Sequence, residues 1–290
     1  MNTTTQTPTS RFLATYEVYD VAPDGEIHEV TSQGELAAVV RPVAVSGLPR
    51  IVDDRALLPE EIAAVLAFPI YRDGQIVSVV AFAAATQPGS LGVFEIWEPH
   101  GEFEEVKLSQ GYYCELERFQ NVSSFIRFEK GSGLPGLVWQ RRCAVVHNDL
   151  PNHPGFLRAA GAAAEALTTA VGIPIFDDDF VAAVVLISSA RSPLARGIEI
   201  WAPDERGFEL VEGSYPSLDA AFHLPARARL AHDGGLPGLA REHGGACVSH
   251  EASCYAAGRT LSDEQAERHH GLALPYYDGA QLMSVVVLLF

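Results

Sequence analysis

The chain contains few lysines and few cysteines. Only two of its 20 basic residues are lysines, and the 37 acidic residues give a formal net charge of −17. An acidic surface repels phosphate backbones and anionic lipid, so we expect no binding to nucleic acid or to a membrane surface. Four cysteines in 290 residues make no disulfide framework, which favours a reduced, cytoplasmic setting.

Long apolar runs and targeting signals are missing as well. Its purely apolar runs, such as those at 181–187 and 285–290, have the length of strands and fall far below the roughly 18 residues of a membrane span. Residues 1–11 lack a basic segment followed by an apolar one, so they are interpreted as a short disordered tail and not as a secretory signal. A hydrophobic content of 48% predicts globular domains with substantial cores.

A strand pattern with a central glutamate occurs three times. The copies are YEVY at 16–19, FEIW at 94–97 and IEIW at 198–201, and each leads through a turn into a second extended run. Alternating aromatic and aliphatic residues beside a glycine-bearing turn predict a β-hairpin in each copy. The repeated glutamates, Glu17, Glu95 and Glu199, are expected on the outward face of their strands.

A second pattern also occurs three times, around Pro69, Pro174 and Pro275. Each copy is a strand, a tight acidic turn and a nearly continuous apolar strand. Because the last strand is apolar on both faces, we expect it at the centre of its sheet, with other parts of the protein packed on both sides. The prolines repeat after about 100 residues, which predicts three similar units.

The first unit is the shortest of the three. The second and third units share GLPG, at 133–136 and 235–238, which introduces a short helix and then a strand. The first unit lacks this motif, and we predict a strand at 43–46 and a helix at 59–66 there. The corresponding helices are predicted at 156–170 in the second unit and at 262–270 in the third.

The ordered set of hairpin, GLPG, short strand, helix and final strand pair resembles a GAF domain. The resemblance implies an α/β (α+β) fold with three tandem modules, each a central antiparallel sheet flanked by helices. The modules are predicted at 12–88, in truncated form, at 92–190 and at 195–290, packed as a semi-rigid string. GAF domains are sensor modules, so the resemblance implies a small-molecule ligand or a protein partner, and a homodimer. The cofactor stays open among haem, a tetrapyrrole and a cyclic nucleotide.

The second unit has a candidate anion or nucleotide site. A glycine turn that opens a helix presents backbone N–H groups to a phosphate or carboxylate, and basic residues lie nearby in the fold order. Aromatic side chains would floor an apolar pocket, although aromatic residues at such spacing are commonly part of a core. The candidate residues are Arg127, Ser132, Trp139, Phe156 and Arg158.

Two histidines, His147 and His250, are expected at equivalent points of the second and third units. A neutral imidazole can bind a ligand there, while the alternative is that His147 and Asp149 only cap the loop after a strand. The further candidates in the third unit are Cys247, Tyr255 and His269. Cysteine and histidine suit zinc or haem iron, but the spacing does not match structural zinc motifs, and no metal site is predicted.

Three functions remain open at this point. A non-enzymatic sensor or regulatory protein is the leading hypothesis, because no Ser-His-Asp order, HExxH motif or P-loop is present. An oligomeric scaffold with degenerate modules is the alternative. The third is a thiol-dependent methionine-sulfoxide-type reductase, which would use Cys247 and Cys254.

Overall fold

The computed structural model describes residues 12–31, 34–251, 254, 258–259 and 270–290, which form three antiparallel sheets. The first module is a five-stranded sheet of order β2-β1-β5-β4-β3 with one helix. Its elements are β1 (Leu13–Val21), β2 (Ile27–Glu29), α1 (Ala37–Ser46), β3 (Arg50–Val52), β4 (Ile62–Arg72) and β5 (Gln75–Ala85).

The second module is a six-stranded sheet of order β8-β7-β6-β11-β10-β9. Its strands are β6 (Gly92–Pro99), β7 (Glu105–Tyr112), β8 (Arg127–Glu129), β9 (Val145–Asn148), β10 (Leu167–Phe176) and β11 (Phe180–Ser189). Its helices are α2 (Glu117–Phe125), α3 (Gly133–Arg141) and α4 (Ala159–Ala164).

The third module repeats this order as β14-β13-β12-β17-β16-β15. Its strands are β12 (Gly197–Asp204), β13 (Gly207–Ser214), β14 (Arg229–Leu230), β15 (Cys247–Ser249), β16 (Gly271–Asp278) and β17 (Gln281–Leu289). The helix α5 (Gly235–His243) follows a 3-10 turn at Ala220–Phe222. Within the described residues, none of the helices has the length and apolar character needed to cross a membrane.

The predicted fold class, antiparallel sheets flanked by helices in three similar units, is confirmed. The hairpins form as expected, and the doubly apolar strands β5, β11 and β17 each lie inside their sheets. The second glycine of each GLPG motif is explained by a close approach of backbone segments. In each of the two modules, the helix that begins with GLPG lies directly against the chain that precedes it. A Cβ atom on Gly136 would lie 2.1 Å from the backbone oxygen of Glu129, and one on Gly238 would lie 2.4 Å from the backbone of Asp233.

The helix predicted at 59–66 is wrong, as is the strand predicted at 43–46. Residues from Ile62 onward form β4, which pairs with β3 on one side and β5 on the other. A helix there would leave the edges of two strands without hydrogen-bond partners. The helix of this module is α1, which buries Val39, Val40 and Val43 and ends at Gly47 in the left-handed conformation.

The helix predicted at 156–170 is shorter in the structure. It is limited to α4, because β10 begins at Leu167 and continues the sheet. The helix predicted at 262–270 falls almost entirely outside the described residues.

The three sheets pack against one another around a shared core, and each module has a second buried cluster of its own. One buried cluster contains apolar residues from all three modules, including Phe68, Val184 and Leu274. The three repeated prolines line one small cavity of about 20 Å³ where the sheets meet. Each module therefore has a core of its own, as expected for three modules, and the three also share one because one face of every sheet is covered by the other two sheets.

The modules are arranged as a closed ring. The edge strand β3 of the first module lies against the hairpin of the second, where the Ile51 N–H donates to Gln110 Oε1 (2.9 Å). At the next junction, the Val146 N–H donates to Glu212 Oε2 (2.7 Å). The third module returns to the first, where the Ala246 N–H donates to Ser78 Oγ (3.0 Å).

Candidate functional site

Glu95 lies fully buried in the second module. Its carboxylate accepts hydrogen bonds from Trp97 Nε1 (2.9 Å), from the Tyr113 hydroxyl (2.8 Å) and from both terminal nitrogens of Arg158. The predicted outward position of the repeated glutamates is wrong. Strand alternation places the side chains of Glu95 and Phe94 on opposite faces of β6. Phe94 faces the core shared by the three sheets. The face that carries Glu95 is also covered, so neither face of β6 is exposed to solvent.

The Arg158 guanidinium is enclosed by aromatic rings. Its central carbon lies 4.6 Å from the ring centre of Phe119 and 5.3 Å from those of Trp97 and Phe156. A cation over ring faces is attracted by the negative charge of the π system. Ser123 Oγ accepts a further bond from Nη1 (2.6 Å), while Nε has no hydrogen-bond partner among the described residues.

The third module repeats this centre. Glu199 accepts from Trp201 Nε1 (3.0 Å), from the Tyr215 hydroxyl (2.9 Å) and from Arg259. Arg259 also donates from Nε to the Phe222 carbonyl (2.8 Å). In both modules the arginine therefore neutralises a buried carboxylate and ties a loop to the sheet.

In the first module, the carboxylate of Glu17 forms no ion pair with an arginine of the described residues. Glu17 accepts from the Tyr19 hydroxyl and from the backbone N–H groups of Glu35 (3.1 Å) and Leu36 (3.0 Å). Its charge is balanced by backbone dipoles where α1 approaches the strand. The three glutamates thus share a position and differ in their partners.

The structure separates the residues predicted for the second-module site. Phe156 and Arg158 come together at Glu95, but Arg127 is exposed and pairs with Glu105 (2.8 Å). Trp139 is half-buried and stacks on Phe180, with ring centres 4.8 Å apart. Ser132 precedes α3 and makes no side-chain capping bond.

His147 is buried against a second histidine. Its ring lies 3.8 Å from that of His153, and its Nδ1 has no hydrogen-bond partner among the described residues. Burial, together with the charges of His153 and Arg141, lowers the pKa of His147 to about 4. Asp149 accepts from Asn152 Nδ2 (3.0 Å) within the following turn, as expected for a loop cap.

His147 and His250 are not equivalent in the structure. His147 pairs with Ala170, while the matching partner in the third module, Gly271, pairs with Ser249. The predicted equivalence of the two histidines is therefore wrong by one residue, because three residues separate α5 from β15, as three separate α3 from β9, which makes Ser249 the counterpart of His147. His250 instead follows the end of its strand and is exposed.

Among the described cysteines, Cys247 is buried, whereas Cys114, Cys143 and Cys254 are partly exposed. Burial raises the pKa of Cys247 to about 12, and burial also raises the pKa of Cys143. The described residues contain no group of three or more histidine, cysteine or acidic side chains that would hold a metal ion. Tyr255 and His269 lie outside the described residues.

An open-sided cavity of about 480 Å³ lies where the third module meets the first. We call it the seam cavity. The Tyr16 ring stacks on Phe290 (4.8 Å) and on His270 (6.0 Å), and the rings of His270 and His250 are 5.1 Å apart. The lining residues are Thr15, Tyr16, Glu17, Val30, Thr31, Val248, His250 and His270.

No protein-family model matches the chain, and neither does any curated protein. Solved structures similar to it include the GAF domain of nlh2 from A. aeolicus, with 18% identity and a TM-score of 0.28 over 34% of this chain and 59% of that one. Another is the free methionine-R-sulfoxide reductase from Neisseria meningitidis in complex with its substrate, with 17% identity and a TM-score of 0.27 over 34% and 53% of the two chains.

A third similar structure is NreA from Staphylococcus aureus, mutated in its nitrate binding site, with 17% identity and a TM-score of 0.29 over 36% of this chain and 77% of that one. GAF domains are thus among the solved structures that resemble this chain. The chain spans little more than half the length of the first two.

Proposed function

We propose that the protein is a non-enzymatic regulatory protein that binds a small ligand in the seam cavity. The observation that carries this proposal is a cavity of about 480 Å³ between two modules. That volume is typical of small-molecule sites, which are often found where domains meet.

The position of the cavity favours regulation. Short linkers at 86–91 and 191–196 join the first module to the second and the second to the third. The junction between the third and first modules has no such linker and is held by side-chain and backbone contacts alone. A ligand that touches both modules would stabilise the closed ring relative to forms in which this junction opens, which is a population shift.

A scaffold protein is the second candidate, and the buried arginines favour it. Arg158 and Arg259 occupy the side of the sheet where the resemblance to GAF domains implies a ligand pocket, and each pairs with a glutamate there. These module interiors are filled by the chain's own side chains. If the seam cavity also binds nothing, the modules serve as packing units for assembly.

A thiol-dependent reductase is the least supported function. Such an enzyme attacks with a thiolate, and the raised pKa of Cys247 leaves that thiol protonated at neutral pH.

Native mass spectrometry and an absorption spectrum of freshly purified protein test the proposal. An added ligand mass, or a haem or bilin band, supports it, provided that Thr31→Trp, which fills the seam cavity, removes the ligand. The control is Thr86→Trp, at an exposed linker position, which should keep the ligand. A homo-oligomer that carries no added ligand mass and has the same mass per subunit pattern and spectrum in Thr31→Trp, apart from the substitution itself, favours the scaffold.

A further inference from the structure

The second module carries apolar side chains on the outside of its helices. Phe125, at the end of α2, is 88% exposed and is the most exposed large apolar side chain among the described residues. Val122 lies one helical turn earlier and is exposed as well. Exposed apolar side chains that lie together on a protein surface commonly mark an interaction site.

The segment that contains α4 continues this surface. It packs beside α2, since a Cβ atom on Gly161 would lie 3.1 Å from the Phe119 ring, and the ring centres of Phe119 and Phe156 are 6.5 Å apart in a stack. Leu157 follows Phe156 and is exposed. The exposed side chains of α4 are all alanines, at 160, 163 and 164. We call these alanines, together with Val122, Phe125 and Leu157, the helix face.

The helix face has almost no charge, although the protein is strongly acidic. Of the whole chain, 20% of the residues are charged, and the net charge is −17. Between residues 119 and 126, and again between 150 and 164, the only side chain charged at neutral pH is Arg158, which is buried against Glu95. Two copies of an acidic chain repel each other where their charged surfaces meet. An uncharged apolar face is therefore where they can approach closely.

The helices carry the side of the second module that faces away from the ring. The opposite face of the sheet is buried in the core shared by the three modules, to which Phe94 and Val184 belong. The chain's own N-terminal segment is a poor match for the helix face, because residues 1–11 are polar apart from Met1 and Pro8. Charged residues are depleted and aromatic residues enriched at the core of protein interfaces, so the partner of this face carries an apolar surface too.

We infer that two copies of this chain associate through the helix face, related by a twofold axis. In such an interface the same patch serves both subunits, so it must be complementary to itself. The helix face meets this requirement. The Phe125 ring stands out from α2, and the small side chains of α4 leave room to receive the same ring from the second copy. The inference goes beyond the proposed function, because the seam cavity lies between the other two modules.

Sedimentation equilibrium of the full chain over a range of concentrations tests the inference. We expect a monomer–dimer equilibrium. Phe125→Glu places a charge in the apolar face of both subunits and should raise the dissociation constant by about thirtyfold or more, as the loss of a central interface residue does. Phe103→Glu is the matched control, because it adds the same charge at a side chain that is 79% exposed in the β6–β7 turn of the same module. It should leave the dissociation constant unchanged.

Two further measurements locate the interface. Raising the salt concentration should strengthen the dimer, since salt screens the repulsion between two chains of charge −17, whereas a dimer held by ion pairs would weaken. With p-benzoylphenylalanine in place of Phe125, light should crosslink this position to residues 157–164 of the other copy. Mass spectrometry of a mixture of ¹⁴N and ¹⁵N chains identifies such crosslinks between subunits.

Each of the contrary outcomes overturns the inference. A chain that stays monomeric at every concentration excludes a second copy on the helix face, and a dimer that Phe125→Glu leaves intact places the interface elsewhere. A dimer that forms only after deletion of residues 1–11 would show that this segment covers the face. Because Phe125 is exposed, Phe125→Glu should keep the urea midpoint of the unmodified monomer. A ligand that stays bound to the Phe125→Glu monomer leaves the proposed function standing, whichever result the dimer gives.

Discussion

The guanidinium of Arg158 pairs with the carboxylate of Glu95, and both side chains are buried although they lie 63 residues apart in the chain. Arg158 Nη2 donates to Glu95 Oε2 at 2.9 Å. The pair connects the loop before α4 to the central part of the sheet. Removing one partner would leave a buried charge without compensation.

Arg158→Met should lower the free energy of unfolding by about 3–5 kcal/mol, the usual cost of breaking a buried ion pair on one side. Urea titration measures the loss. Arg127→Met is the matched control, because Arg127 forms an exposed pair with Glu105 that is worth about 1 kcal/mol or less. Adding Glu95→Gln to Arg158→Met should recover part of the stability. Equal effects of the two arginine variants would contradict the structural role of the buried pair.

His147 should make the protein sensitive to mild acid. Its pKa is lowered from 6.5 to about 4 in the folded state, so the unfolded chain binds this proton at a higher pH. Stability is therefore present above pH 6.5 and is lost as the pH falls from 6.5 towards 4, by up to about 3 kcal/mol.

Urea midpoints measured across this pH range check the prediction. His147→Gln should flatten the pH dependence of stability. His28→Gln, at a histidine with an exposed side chain, should leave it unchanged. An unaltered slope in His147→Gln would show that other groups are responsible.

The shared core should make the three modules unfold together. All three tryptophans, Trp97, Trp139 and Trp201, belong to the second and third modules, while Phe68 is buried in the first module's part of the common cluster. Phe68→Ala should cost about 3–5 kcal/mol and shift the tryptophan fluorescence transition as a single step. A tryptophan transition that stays in place would mean that the first module unfolds independently.

Cys247 should resist alkylation in the folded protein. With a pKa of about 12, its thiolate fraction at pH 8 is on the order of one in ten thousand. Mass spectrometry after iodoacetamide treatment should find Cys247 unmodified in buffer and modified in urea. Rapid labelling in buffer would revive the reductase hypothesis.

Several features of the fold were predictable because they are written in short-range patterns. The hairpins follow from alternation beside a turn, and the central positions of β5, β11 and β17 follow from runs that are apolar on both faces. The helix α1 was not predictable in this way. Val39, Val40 and Val43 favour a strand locally, but packing on β4 and β5 makes this segment a helix.

The candidate site was less predictable than the fold. Glu95 and Glu199 were visible as a repeat, and a signal for their burial was present in the equally repeated Tyr113 and Tyr215. Their arginine partners come from distant loops, so no local pattern joined them to the glutamates. The seam cavity involves residues from both ends of the chain, such as Tyr16 and His270, and no spacing rule brings those together.

The amino-acid sequence alone determined three similar units, their hairpins and their central apolar strands, because periodicity and turn residues act over a few positions. The tertiary structure decided how the units use their second faces. Removing three apolar sheet faces from water favours one common core, and that core closes the ring and leaves the seam cavity between Tyr16 and Val248, while the repeated glutamates are buried on the opposite face of each sheet.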